Sequence, residues 1–389
     1  MSERSLKPGW QVWRFDQMAT SVNDRINDPS KADVEYYVGL EHLDSDSLKI
    51  RRWGTPSDVE ATKLCFRKGD IIFGRRRVYQ RKVAVADFDG ICSAHALVLR
   101  AKPANVDPGF LPFFMQSDLF MERAKAISVG SLSPTINWKT LAKEEFALPP
   151  LEEQKEVIKL LAEADKTVSS YQDFLKTTIM LQSSIRAASF NPHRYSSHPL
   201  ADFCNGGSGI QIGPFGSQLH QSDYTTAGIP VVMPANMQDE KIDVTRIARV
   251  SIQKAQTLAG HQLKADDILL PRRGELDRRA YVKIDNEGWL CGTGSIRIRV
   301  DKTISPRTVF HALSSVHSVK WLKGNAVGTT MPNLNSKIIS TIPIALPPNE
   351  ILSEVICLLD TLEEKIQLVD KRLKEMYHLK SCLLSKVLK

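Results

Sequence analysis

The chain has 389 residues, enough at about 150 per domain for two or three domains. Apolar residues make up 42% and charged residues 25%, which excludes collagen-like and disordered classes. Lysine and arginine total 52 against 44 acids, a net charge of +8, for which nucleic acid is the obvious polyanionic partner and a merely basic soluble protein the equal alternative. No run approaches the roughly 18 apolar residues of a membrane span, and with no apolar stretch behind Met1-Ser-Glu-Arg secretion is not expected. The six cysteines (65, 92, 204, 291, 357 and 382) lie far apart with no CxxC, so the expectation is a reducing, cytoplasmic setting.

Residues 1–150 open with a strand-rich lobe, in which 70–73, 83–86 and 96–100 read as short strands. A helical stretch at about 108–127, a Gly/Ser/Pro loop and a Leu148-Pro-Pro corner follow. Residues 151–190 then read as one long helix, ended by Asn191-Pro192. Spacing of 3,4,3,4 selects a seam of Val157, Leu161, Ala164, Val168, Tyr171, Leu175, Thr178, Gln182 and Ile185. Residues 191–348 repeat the order: strands at 267–270, 280–284 and 295–300, a helical stretch at 306–322, and Leu346-Pro-Pro. In the third strand Ile296, Ile298 and Val300 alternate with Arg297 and Arg299. Residues 349–389 form a second long helix. Its seam runs Val355, Leu359, Leu362, Ile366, Val369, Leu373, Met376, Lys380, Leu383 and Val387. Two seams in the same phase predict that the helices pair with each other.

The parallel is written in the residues. Residues 148–161 and 346–359 are identical at nine of fourteen positions, at an offset of 198. The same offset aligns Ser133-Pro134-Thr-Ile-Asn137 with Met331-Pro332-Asn-Leu-Asn335. An offset of 197 aligns Gly69-Asp70-Ile-Ile72 with Asp266-Asp267-Ile-Leu269, and Arg75-Arg76 with Arg272-Arg273. The chain is an internal repeat of one unit of about 195 residues. The positive charge lies in the lobes: +3 over 1–150 and +6 over 191–348, against −1 and 0 over the two helices.

No catalytic constellation stands out. GxxxxGK[ST] is absent, and the cluster Gly206, Gly207, Gly209, Gly213, Gly216 breaks GxGxxG at Ile212. Leucine precedes both Pro-Pro pairs, where an amino-methyltransferase would place Asn or Asp. The nine histidines show no metal-ligand spacing, so no metal is expected.

Two basic clusters occupy equivalent positions, each after a predicted strand. The first, 75–82, holds Arg75, Arg76, Arg77, Tyr79, Gln80, Arg81 and Lys82; the second, 272–279, holds Arg272, Arg273, Glu275, Asp277, Arg278 and Arg279. The arginine fork bonds phosphate or the O6/N7 edge of guanine in two places, Gln80 suits adenine, and Glu275 or Asp277 could accept from cytosine N4. A solvated basic hairpin remains the alternative for either cluster. These residues, Asp277 apart, form the candidate DNA-binding set.

Several segments resemble the specificity subunit of type I restriction-modification systems. They are 73–82 with 85–92, Gly213-Pro-Phe-Gly-Ser217 with Ser222-Asp-Tyr224, Pro271-Arg-Arg-Gly274, and Leu-Pro-Pro-x-Glu before a long helix. The resemblance implies an α+β architecture: two pseudo-repeated α/β target-recognition domains (1–150 and 191–348) separated by two long antiparallel, coiled-coil-like helices (151–190 and 349–389). It implies a non-catalytic phage-defence subunit reading a bipartite, interrupted double-stranded DNA target. Two methyltransferase subunits would dock on it and bring S-adenosylmethionine, and restriction subunits that use ATP could join. One departure is Asn349, Ile351 and Leu352, where the first copy has Leu151, Glu153 and Gln154. A component of another phage-defence complex, or a two-repeat scaffold without a DNA role, are the competing readings.

Overall fold

The computed structural model describes residues 6–327 and 333–388, so Met331 and Pro332 of the repeat lie outside the described residues. Two compact units divide the chain: residues 1–174 with 369–389, and residues 175–368. The division falls within both long helices, Leu151–Ser189 and Asn349–Val387, so each unit combines a lobe with a stretch of each.

In the first unit, strands Ala19–Val22, Ala96–Ala101, Ile71–Gly74 and Val83–Val85 form an antiparallel sheet in that order. A strand alternates its side chains between faces. Ile71, Phe73, Leu97 and Leu99 therefore join one core with Phe110, Phe114, Phe120, Val157 and Leu161. Ile72, Ala84 and Val98 face a second core with Leu64, Phe66 and Cys92. That second core is closed by another sheet, ordered Arg25–Ile26, Lys63–Phe66, Gly90–Cys92, Tyr37–Val38, whose last pair is parallel. The layers are helices, sheet, sheet.

The second unit repeats this plan with Ile210–Ile212, Ser295–Ile298, Ile268–Pro271 and Ala280–Tyr281. Ile268, Leu270, Ile296 and Ile298 pack with Phe310, Leu313 and Leu359, while Leu269 and Ala280 face Val232, Met237 and Cys291. Here the companion sheet differs. A helix, Ile252–Thr257, replaces the short turn Pro56–Asp58 of the first unit, and only a single bridge, Gln262↔Leu290, stands where the first unit pairs Lys63–Phe66 with Gly90–Cys92. Because both sheet faces are covered, Arg297 is buried rather than solvated, with Nη1 donating to the Gly260 carbonyl at 3.0 Å.

One ion pair, between a buried aspartate and an arginine open to solvent, recurs in both units. Arg100 grips Asp70 at 2.8 and 2.9 Å, and Arg299 grips Asp267 at 2.7 Å through two nitrogens. Each aspartate also closes the turn before its strand by accepting a backbone N–H, from Arg67 or Lys264.

Two expected helical stretches are each divided in two, and one expected strand is shorter. The stretch at 108–127 is two helices, Phe110–Gln116 and Asp118–Ala126, and that at 306–322 is Pro306–Leu313 and Val316–Asn325. The cause is a serine N-cap in each: extended Ser117 and Ser315 accept from Phe120 N and Ser318 N, which starts a new helix. The strand at 280–284 ends at Tyr281, before the turn at Ile284–Asn286.

The seams are buried at helical spacing. Val157, Leu161, Val168, Leu359, Leu362 and Val369 are buried, and Leu175, Val355, Ile366 and Leu373 are half-buried. In the first unit the helices run antiparallel, since Lys380 meets Asp165 at 2.7 Å and Tyr377 Oη accepts from Gln172 Nε2 at 2.6 Å. In the second unit Gln182 lies against the Leu359 carbonyl. At the first corner, buried Gln154 accepts from Asp107 N and donates to the Pro149 carbonyl. Leu352, at its equivalent, packs against the apolar core instead.

Candidate nucleic-acid interface

In each unit the arginine cluster begins where a central strand leaves the sheet. Strand Ile71–Gly74 runs directly into Arg75, and Ile268–Pro271 into Arg272. Arg75 N donates to the His95 carbonyl at 3.2 Å, and Arg272 N to the Gly294 carbonyl at 2.6 Å.

A second loop braces each cluster. Arg76 bridges Thr135 and Thr135 bridges Val129; at an offset of 197 to 198, Arg273 bridges Asn333 and Asn333 bridges Val327. Ile136 N donates to the Arg75 carbonyl at 3.0 Å, Arg77 N to that of Pro134, and Leu334 N to that of Arg272, the last two both at 2.8 Å. Side chains strengthen the brace: Ser133 Oγ accepts from Arg76 at 3.2 Å and Arg77 at 3.3 Å, and Asn333 Oδ1 accepts from Arg272 Nε at 3.2 Å.

The basic residues then divide by environment. Arg77, Tyr79, Arg273 and Glu275 are exposed; Arg75, Arg76, Gln80 and Arg272 are half-buried with solvent access. Arg77 and Arg81 both hold left-handed backbone (φ 57° and 53°), flanking the single turn Val78–Gln80 and leaving Tyr79 outward. Arg272 lies over the half-exposed Phe215 ring, 5.6 Å from its centroid. Partial desolvation and the nearby Arg76 and Arg75 guanidiniums hold the exposed His95 imidazole below its ordinary range, which disfavours its charged form.

Other residues of the two clusters are engaged by partners within the protein, some buried and some at its surface. Arg279 is buried; its guanidinium donates to the Leu313 and Asp277 carbonyls, and desolvation lowers its pKa to about 10. It is a structural residue, and its inclusion in the DNA-binding set is corrected. Arg81 binds Asp46 at 2.6 Å, Asp118 at 2.9 Å and the Gln116 carbonyl at 2.5 Å. Lys82 Nζ donates to the Leu40 carbonyl, Arg278 pairs with Glu275 at 2.8 Å, and Asp277 pairs with Lys323 at 2.7 Å. These contacts shape the loops. The bracing loops were missed from sequence, although the matched 133–137 and 331–335 segments mark them.

Ligand atoms of His311, Asp360 and Glu363 lie within 4.8 Å of one another, but the Arg307 guanidinium already binds both carboxylates at 2.5 Å. Arg307 thus supplies the cation that the two carboxylates need.

A duplicated α/β lobe with one braced arginine loop per copy is the class the geometry defines. The family model described as "Type I restriction modification DNA specificity domain" matches residues 54–176 and 222–377, well over half of the chain. The chain belongs to this family. It is 30% identical over 192 residues to the type I restriction enzyme EcoDI specificity subunit of Escherichia coli, covering 48% of this chain and 42% of that one. The chain thus spans under half the length of that curated relative. Its fold is similar to the type I restriction-modification system S subunit from M. genitalium, with a TM-score of 0.59, 17% identity and 100% and 98% of the two chains covered. A chain from a structure on assembly and conformational transition of the type I R-M system gives a TM-score of 0.52, 21% identity and 99% coverage of both.

Proposed function

We propose that this chain is the DNA sequence-recognition subunit of a type I restriction-modification complex, each lobe reading one half of an interrupted double-stranded target. The single observation that carries the reading is the paired arginine loop, braced in the same way in both units. Arg75, Arg76, Arg77, Tyr79 and Gln80 serve the first half-site; Arg272, Arg273 and Phe215 serve the second. A braced guanidinium is pre-organised for a base edge, whereas a free one is a point of attachment to phosphate.

The chain itself performs no chemical step in this account. Two methyltransferase subunits dock on it and supply S-adenosylmethionine, and restriction subunits supply the ATP-dependent activity. The setting is the cytoplasm, and among the described residues no helix is long and apolar enough to cross a membrane. The test is to map methylated sites in host DNA with and without this chain. An interrupted motif that disappears with the chain supports the reading. No chain-dependent motif would contradict it.

A further inference from the structure

The loop that braces the first arginine cluster has features that bracing alone does not require. Residues 128–135 read Ser-Val-Gly-Ser-Leu-Ser-Pro-Thr, with no acid among them. Leu132 is 91% exposed and Val129 73% exposed. A single exposed apolar residue calls for no explanation. Here the exposure recurs in the second unit, where Val327, at the position equivalent to Val129, is 63% exposed and makes the equivalent bridge. Next to Leu132, one hydroxyl, Ser133 Oγ, holds two guanidiniums side by side. The tip therefore offers an apolar group beside two oriented cations, and DNA offers that combination where a thymine methyl or other apolar base edge lies next to acceptors.

We propose that residues 128–135 form a second strip of the first unit's recognition surface, in which Leu132 touches base edges and Ser133 is the positioning residue for Arg76 and Arg77. This rests on the DNA-recognition reading above. It adds that specificity at this half-site is set by two loops rather than one. A leucine contact responds to the shape and apolar character of the base edge and carries no charge, so losing it changes selectivity without changing the number of phosphates neutralised. Losing the Ser133 hydroxyl frees both guanidiniums to seek phosphate, which lowers discrimination and leaves non-specific affinity in place.

The test maps methylated motifs in cells carrying the complete system with wild-type chain, Leu132→Ala, Ser133→Ala, Ser133→Thr or Arg76→Ala. Leu132→Ala should relax at least one position of one half-motif, with about a tenfold loss of preference, the scale of one ordinary mismatch. That half should be the one altered by Arg76→Ala, and the other half should be unchanged. Ser133→Ala should relax the same half, and Ser133→Thr, which keeps the hydroxyl, should retain the wild-type motif. If Leu132→Ala abolishes methylation outright, Leu132→Met should restore it, because it keeps apolar reach; failure to restore counts against the proposal. An unchanged motif in Leu132→Ala and Ser133→Ala, or relaxation of the half that Arg76→Ala spares, overturns it. Absence of any chain-dependent motif in wild type is a separate outcome, which overturns the DNA-recognition reading and this inference with it.

Discussion

His311 is fully buried in the second unit, with Arg186 donating to Nδ1 at 3.0 Å and Nε2 within 2.9 Å of Asp360. A guanidinium only donates and a carboxylate only accepts, so Nδ1 accepts from Arg186 and Nε2 carries the proton toward Asp360, while Arg307 Nη2, 3.3 Å from Nε2, donates to Asp360 and Glu363 instead. Burial, with Arg186 and Arg307 adding to it, depresses the imidazole pKa despite the Asp360 contact. Glu240 faces Arg186, and Glu363 faces Arg307. A depressed histidine stays neutral in the folded chain while the unfolded chain binds a proton, so this stability is present above pH 6.5 and is lost as pH falls below it. Asp360 and Glu240, whose carboxyls are held low by these partners, act in a more acid range. The prediction is that the unfolding free energy from denaturant titrations drops from pH 7.5 to 5.5, by up to about 1.4 kcal/mol per pH unit, and that His311→Gln flattens the drop. An equal drop in the variant would show that another group carries it. At this scale the sequence was least legible. Arg273 and Arg279 have much the same neighbours in the chain, yet one is exposed and the other is buried, because the Leu313 carbonyl that accepts from Arg279 arrives from 34 residues away.

The long helices show the opposite case, since a period of 3.5 residues is local information. Each seam needs only its own spacing to be recognised, and Val157, Leu161, Leu359 and Val369 are buried as that spacing requires. What spacing did not reveal was the polar chemistry within the seam. Lys380 occupies a seam position yet is 4% exposed, pairs with Asp165 and lies 5.2 Å from the Phe113 ring centroid. Removing one member of such a pair strands the other charge, which costs about 3 kcal/mol. Lys380→Ala should lower stability on that scale in denaturant unfolding, while the double change Asp165→Leu with Lys380→Met should recover most of the loss. A double variant as unstable as the single one would mean that the pair is more than a matched burial. The serine caps at Ser117 and Ser315 were also visible as residue types, but the apolar pattern running across both obscured the breaks.

Duplication is legible in the whole chain because it is written twice: in the Leu-Pro-Pro corners, in Asp70 and Asp267, and in the arginines that follow each strand. Divergence is not. The helix Ile252–Thr257 stands where the first unit has only the short turn Pro56–Asp58, and the companion sheets pair differently, while the arginine loop and its brace stay in place. A constant frame with a variable flank is what two different half-sites would demand of one repeated unit. The central claim is that each lobe's loop reads its own half of the target. The measurement that tests it most directly compares the methylated motifs made by the complete system carrying Arg76→Ala with Arg77→Ala, and by that carrying Arg273→Ala. The account predicts that the first variant relaxes one half-motif and the second relaxes the other, each leaving its opposite intact. Relaxation of the same half by both, or of neither in an active complex, would contradict it.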